Sequence, residues 1–433
     1  MLLQFTFKNF RSFKDKNTLD MRATKVKELS YHIRNAGKEK VLPITAIYGA
    51  NASGKSNVIG AISFMELCVT SSVTFNLNIN NNPLKLPNNN ILKFPYNDNI
   101  MFSFIKNTDE TNSLFEAVFI LPNKKKYVYG FIIDKNGFKE EWLKQIKSNN
   151  TYKDIITRTN YKTIDYNYNN KQTKIKEIFK KSLTNTSLIL TLGQMLNDKF
   201  LTTIYNWFSN IIIIDFGEPL IDMITSQNIV SEDLITGKLK DIFLDYLASF
   251  DNSIIDYSIE KQLNEEDDDN AYKIYTHHKM LDNNGTKKIS LQQESSGTQK
   301  MIALFLHFYE TLKQGGILIV DELNAKLHPL LMRAIINLFA DPETNPNNAQ
   351  LIFTTHDVWL MDSEILRRDE IWFTEKNNEG ISELYSFVDL KGQDGKTMRK
   401  DLNFMKNYML GKFGGVPKLK QFQIEVGENN GQK

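Results

Sequence analysis

Residues 49–56 read Gly49-Ala-Asn-Ala-Ser-Gly-Lys-Ser56. Two glycines at this spacing, followed by Lys-Ser, match the phosphate-loop pattern G-x-x-x-x-G-K-[ST]. Glycines let successive backbone N–H groups turn inward on phosphate oxygens. A helix starting at the same point would add partial positive charge. Lys55 can then reach β- and γ-phosphates, and the Ser56 hydroxyl can ligate Mg²⁺. ATP and Mg²⁺ are the cofactors this stretch calls for. Asn51, Ala52, Ser53, Gly54 and Asn57 complete the set of residues expected around the nucleotide.

Three later segments carry chemistry of the same kind. Ile317-Leu-Ile-Val-Asp-Glu322 is an apolar run ending in two carboxylates. Asp321 would hold Mg²⁺ and Glu322 would polarise an attacking water; taken alone, a buried strand ending in two acids reads the same way. Thr354-Thr-His-Asp357 follows the apolar run Ala349–Phe353. His356 could donate a hydrogen bond to a γ-phosphate, although a lone histidine is more often structural. In Glu294-Ser-Ser-Gly-Thr-Gln-Lys300, small hydroxyl residues and Gly297 precede a helix. They suit a second anion site and equally an ordinary N-cap.

The elements that must position these residues are visible in the hydrophobic pattern. Val41–Tyr48 reads as a buried strand before the glycine loop, and Asn57–Glu66 as a helix after it. Runs at 100–105, 113–120 and 127–133 alternate as antiparallel strands do, the last two forming a hairpin. An Asn- and Pro-rich loop fills 78–90. Residues 140–210 are rich in Lys, Asn and Thr and read as an inserted helical subdomain, with helices at 171–182 and 194–209. Ile211–Asp215 is a buried strand, and Ser231–Asp251 is amphipathic and helical. Strands at 253–260 and 271–276 flank the acidic run Glu265–Asp269, which reads as a solvated loop tip. The acids of Arg367–Glu375 belong to a loop and strand of the main sheet.

Bulk properties narrow the class. A net charge of +2 over 433 residues argues against a strongly basic nucleic-acid-coating protein. One cysteine, Cys68, can form neither an internal disulfide nor a thiolate metal cluster, and a cytoplasmic location is expected. The N-terminus alternates like a strand and lacks a signal-peptide pattern. No apolar run is long enough to span a bilayer, so no membrane partner is expected.

Order and spacing join the segments. Gly297 lies 24 residues before Asp321, and His356 lies 35 after it. Phosphate loop, Ser-Gly segment, acidic strand and histidine follow in the order used by ABC-type ATPases, and the chain resembles the ABC/SMC/RecF/OLD branch of P-loop ATPases. Asn9-Phe-Arg-Ser-Phe13 resembles the N-terminal strand of RecF- and SMC-like heads, and Asp321-Glu-Leu-Asn-Ala-Lys-Leu-His-Pro329 a segment of OLD-like ATPases. Gly411-Lys-Phe-Gly-Gly-Val-Pro417 resembles a C-terminal element of stand-alone bacterial ATPases of phage defence: the AbiL-type, RloA-like and PARIS systems. Two departures stand out. Ala52 replaces a glycine common in SMC-type loops, with only small size kept, and the signature reads Ser-Ser-Gly-Thr-Gln instead of Leu-Ser-Gly-Gly-Gln.

The resemblance implies an α/β fold: an ABC-type head with a mixed central sheet, an antiparallel β subdomain and an inserted helical subdomain. The implied division is an N-terminal lobe at 1–139, the insertion at 140–210, a C-terminal lobe at 211–425 and a tail at 426–433. Arg11 would approach the nucleotide. Ser296 and Gly297 would serve the nucleotide of a second copy, giving a head-to-tail homodimer or a higher-order assembly. ATP would close this clamp and slow hydrolysis would open it. The implied role is control of a separate effector, a nuclease or toxin encoded nearby, in abortive infection. The alternative is a RecF/SMC-like clamp on nucleic acid in DNA maintenance, for which the lysines at 171–181 would supply a basic patch. A built-in OLD-type nuclease is disfavoured, because too little chain follows His356 for a second catalytic domain.

Overall fold

The computed structural model describes residues 1–75, 100–102, 112–167, 173–216, 232–262, 271–280, 285–391 and 403–416. The Asn-rich stretch 78–90, the acidic run 265–269, Lys171, Pro417 and the tail from 426 lie outside these residues.

The central sheet is built from β1 (Ile44–Gly49), β2 (Ile211–Asp215), β3 (Ile317–Asp321), β4 (Gln350–Thr354), β5 (Ile371–Lys376) and β6 (Ser382–Ser386). Its spatial order is β2-β3-β4-β1-β5-β6. All neighbours are parallel except β5 and β6. Every residue of β1, β3 and β4 is buried, as expected of a parallel sheet covered on both faces. Strand alternation divides their side chains between two cores. Ile47, Ile317, Ile319 and Ile352 face one cluster. Ile44, Ala46, Leu318, Val320, Leu351 and Phe353 face the other.

The first cluster is closed by helix α1 (Lys55–Ser71) and a seven-stranded antiparallel sheet. In Ser113–Ile120, Phe115, Ala117 and Phe119 are buried, while Leu114, Glu116 and Val118 are half-exposed. The hairpin with Lys126–Asp134 pairs in the register the sequence suggests. The second cluster is closed by α2 (Ser296–Gln314) and α3 (Pro329–Ala340). Helix α2 is buried on two sides. Met301, Leu304 and Phe308 face the central sheet. Ile302, Phe305 and Leu306 face a third core made by Lys240–Ala248 and a three-stranded sheet beginning at Ile254.

One expectation is corrected. Residues 140–166 do not start a helical insertion: Gly137–Ile146, Tyr152–Thr159 and Thr163–Tyr166 extend the antiparallel sheet. Tyr152–Thr159, paired on both sides, buries only Ile155, Ile156 and Arg158, so its composition is that of a largely solvated strand, which polarity alone does not separate from a polar helix. Helices follow at Thr173–Ser182, Ile189–Met195 and Lys199–Ser209. Ser231–Asp251 holds two helices, Glu232–Ile235 and Lys240–Ala248.

The acids before β5 are structural. Arg367 is fully buried. Its Nε and Nη2 donate to the Asp369 carboxylate at 2.9 Å each, and its remaining donors reach the carbonyls of Val26 and Glu28. Asp369 also accepts from Thr24 N and Oγ1. Glu370 pairs with buried His32 at 2.8 Å. This network staples residues 24–34 to the base of the sheet. Arg367→Ala would leave Asp369 buried without its cation, at a cost of about 3–5 kcal/mol. Chemical denaturation should show that loss as a lowered midpoint.

Candidate functional site: a phosphate loop facing an acidic strand end

The loop at 49–56 joins β1 to α1. Helix α1 begins at Lys55, with Gly54 as its cap at φ 116°. A Cβ on Gly54 would lie 2.9 Å from Ser382 Oγ and 3.1 Å from the Phe13 ring, so both torsion and space require glycine there. Ala52 sits at φ 61°, a left-handed torsion that costs an L-residue roughly 1–2 kcal/mol. Small size is therefore only part of what this position asks.

Lys55 is 6% exposed. Its Nζ lies back over the loop, donating to Gly49 O at 3.0 Å and Ala50 O at 3.1 Å. Burial lowers its pKa to about 8, against the pull of Asp321 and Glu322. Ser56 is exposed on the first turn of α1, and Asn51 and Ala52 are exposed on the loop. Ser53 is buried and shares a 2.6 Å hydrogen bond with Thr374 at the end of β5. Ser382 Oγ donates to Ser53 O at 2.7 Å, and hydrogen-bonds to Ser12 Oγ at 2.8 Å. Asn57 Nδ2 donates to the same Ser12 hydroxyl at 2.7 Å, and Arg11 Nη1 reaches Asn57 Oδ1 at 3.4 Å. Arg11 thus lies beside the first turn of α1, in space left by Gly60, where a Cβ would come within 3.0 Å of the guanidinium.

Strand register brings the other segments to the same edge. Val320 pairs with Phe353, and Thr354 with Ile47. Asp321 is 4% exposed and accepts from Thr354 Oγ1. The same hydroxyl accepts from Glu322 N at 2.8 Å. Glu322 itself is held at φ 52°, an uncommon torsion for such a residue. His356 N donates to Asn324 Oδ1 at 3.2 Å. Burial lowers the His356 pKa, nearby Lys55 lowers it further, and Asp321 partly offsets them. Its imidazole is therefore neutral at pH 7, with one N–H to donate. Lys55, Asp321, Glu322 and His356 form one electrostatic cluster. Ser56 and Asp321 offer hard oxygen donors, the type Mg²⁺ takes when phosphates and waters fill its other positions. Among the described residues no group of three or more His, Cys, Asp or Glu makes an all-protein metal cage.

Ser296 and Gly297 lie at the start of α2. Ser295 is the N-cap of α2, accepting from Thr298 N at 3.1 Å. Ser296 is exposed, and Gly297 lies against the Lys326 carbonyl, 3.5 Å from where its Cβ would be. The C-terminal element, by contrast, reaches the loop. Tyr408 OH donates to Gly415 O at 2.9 Å, and Tyr385 OH to Phe413 O at 2.8 Å. A Cβ on Gly415 would lie 3.6 Å from Gly49 Cα. Gly49–Ser53, His356, Tyr408 and Gly415 line one cleft of about 760 Å³.

Sequence reasoning misses several of these parts. Thr354 sits two positions before His356 and could have been read as its strand-end partner. Thr374, Ser382 and Ser12 carry no local signal, because their role comes from pairing across the sheet. Among the described residues no helix is long and apolar enough to cross a membrane.

The fold is similar to an SMC head solved with the C-terminal winged-helix domain of ScpA, at 14% identity and a TM-score of 0.45, covering 89% of this chain and 97% of that one. It is also similar to the recombination mediator RecF with ATPγS, at 14% identity and a TM-score of 0.35, covering 89% and 98%. RecF with ATP gives 13%, 0.33, 89% and 97%. No curated protein gives a significant match. The profile of the family described as "AAA domain, putative AbiEii toxin, Type IV TA system" matches residues 44–362. That span is well over half of the chain and runs from β1 past His356, and the chain belongs to this AAA-domain family.

Proposed function

We propose that the protein is an ATP-hydrolysing, nucleotide-gated clamp that regulates a separate effector in anti-phage defence. One observation carries the ATPase reading: phosphate loop, Asp321–Glu322 and His356 meet at the C-terminal ends of three adjacent parallel strands, β1, β3 and β4. Ligands bind at such strand ends in open α/β sheets. Backbone N–H groups of Asn51–Ser56 and the Lys55 ammonium would hold the phosphates, with Arg11 and Asn57 beside them. Ser56 and Asp321 would hold Mg²⁺, which neutralises phosphate charge. Glu322 would orient and polarise the attacking water. The neutral His356 would donate to the γ-phosphate and so distinguish ATP from ADP. Ser296, exposed at the start of α2, and Gly297 beside it would complete the nucleotide site of a second copy. Exposed Leu330, Trp359 and Met409, at 69%, 67% and 66%, lie on segments adjoining this face and fit a protein contact there. The antiparallel sheet, which runs on to Tyr166, and the lobe at 211–425 would then form the head.

The defence role is supported by the words "putative AbiEii toxin, Type IV TA system" in the family description and by the C-terminal Gly-Lys-Phe-Gly-Gly-Val-Pro element. The test is co-expression with the flanking genes. A second polypeptide bound in the presence of Mg-ATP supports it; a homodimer alone, with no phage protection from the gene cluster, refutes it.

The Lys55 pKa gives a pH dependence. Phosphates would raise that pKa, so binding takes up a proton once the free amine titrates. ATP affinity should be flat from pH 7 to about 7.5, then fall about tenfold by pH 9. Titration calorimetry across this range checks it, and a flat profile to pH 9 contradicts it.

A second reading, direct nucleic-acid binding, has its own observation. A cleft of about 660 Å³, lined in part by Lys38, Lys124, Lys125, Lys126 and Lys147, opens between the loops at 36–39, 121–126 and 147–150. Its one acid, Glu39, pairs with Lys126. Duplex binding that weakens steeply with salt would favour this reading. Of the lysines at 171–181, Lys176 is engaged by Asp165.

A further inference from the structure

Lys300 is a lysine that the ATPase reading has not used. It lies one helical turn beyond Ser296 on α2, is 1% exposed, and points away from solvent. Its Nζ donates to Ala325 O at 2.5 Å and Leu323 O at 3.1 Å, with Glu322 O at 3.5 Å. It also sits 4.1 Å above the centroid of the Phe216 ring. A buried ammonium persists only where carbonyls and a ring face replace water around it.

What it holds is the segment after β3. Glu322 and Lys326 both have left-handed torsions, at φ 52° and 61°. Ala325 N returns to Glu322 O at 2.9 Å, and Leu327 N to Asn324 O at 3.1 Å. The segment is thus two tight turns that hold two L-residues in the disfavoured left-handed region. Thr354 Oγ1 grips it from β4 through Glu322 N, and Lys300 grips it from α2 through three carbonyls. Gly297 touches the same segment at the Lys326 carbonyl.

We propose that Lys300 is a positioning residue that couples the Ser296–Gly297 end of α2 to the Glu322 carboxylate of the same chain. The inference rests on the reading of Glu322 as the hydrolytic carboxylate and of Ser296–Gly297 as the part that meets a second copy's nucleotide. The helix is rigid over one turn, about 5.4 Å. A shift of its N-terminus on engaging that nucleotide moves Lys300 with it. Lys300 in turn moves the carbonyls that fix the torsion of Glu322. Each copy's signature thereby sets the competence of its own catalytic carboxylate, and the two nucleotide sites of a pair fire together.

The test uses the full chain and two variants, Lys300→Met and Lys300→Arg, with ATP turnover and ATP affinity measured separately. Methionine keeps the length and removes the donors. Expected for Lys300→Met is a kcat at least tenfold below the parent, with ATP dissociation constant and KM within about threefold, since the phosphate loop is untouched. Arginine keeps charge and donors, so Lys300→Arg should recover part of kcat and part of the dependence of rate on protein concentration. If the methionine variant does not fold, the arginine variant decides, with a reduced kcat and parental ATP affinity expected. A kcat within twofold of the parent in the variant that decides overturns the proposal. So does a parallel loss of ATP affinity and thermal stability without a separate fall in kcat. A parent that binds no ATP overturns the ATPase reading itself, and the positioning role with it.

Discussion

Lys55→Ala should lose ATP binding by about 100-fold or more while keeping its fold. The ammonium bonds the Gly49 and Ala50 carbonyls. Phosphate oxygens would replace these partners with charged ones. Charge-assisted hydrogen bonds are worth about 1.5–3 kcal/mol each, and two of them account for the expected loss. Burial of Lys55 has already lowered its pKa to about 8, so truncation relieves a strained charge and should not lower stability. Equilibrium binding of a fluorescent ATP analogue, alongside a thermal melt, reads both quantities. Near-normal affinity in this variant would remove the loop from the nucleotide site.

Glu322→Gln should bind ATP as the parent does and hydrolyse it about 10²–10⁴-fold more slowly. The amide keeps size and shape but cannot serve as a base. The backbone bond from Glu322 N to Thr354 Oγ1 is independent of the side chain, so the left-handed torsion should survive. Single-turnover hydrolysis separates this from a binding defect. Parental turnover would reassign the base, with Asp321 already engaged by Thr354.

The parts legible in the sequence are those whose physics is local. The phosphate loop declares itself because glycines, lysine and serine must be adjacent in the chain to wrap one phosphate group. The strand Ile317–Asp321 is legible because burial on both faces leaves no polar position before its acids. The hairpin of Ser113–Ile120 shows through its alternation. What is hidden depends on distant partners. Ser12 and Ser382 meet only through the fold, yet they carry the loop's outer wall. Glu141 in the polar stretch after 140 is fully buried, bound by Tyr129 OH and by the amides of Ile189 and Leu190. Nothing near it in the chain marks that glutamate as a core residue, so the strand it belongs to reads as surface. Lys300 is hidden for the same reason: a lysine on a helix is taken for a solvated one until its three carbonyl partners are seen.

The most direct measurement is the native mass of Glu322→Gln with Mg-ATP and with Mg-ADP. With ATP the mass should rise to about twice the 50.1 kDa chain, because in the proposed clamp Ser296 and Gly297 of one copy would close on the γ-phosphate held by the other. With ADP it should return to that of the single chain. A mass that is the same in both nucleotides, with ATP shown to be bound, would contradict the nucleotide-gated clamp.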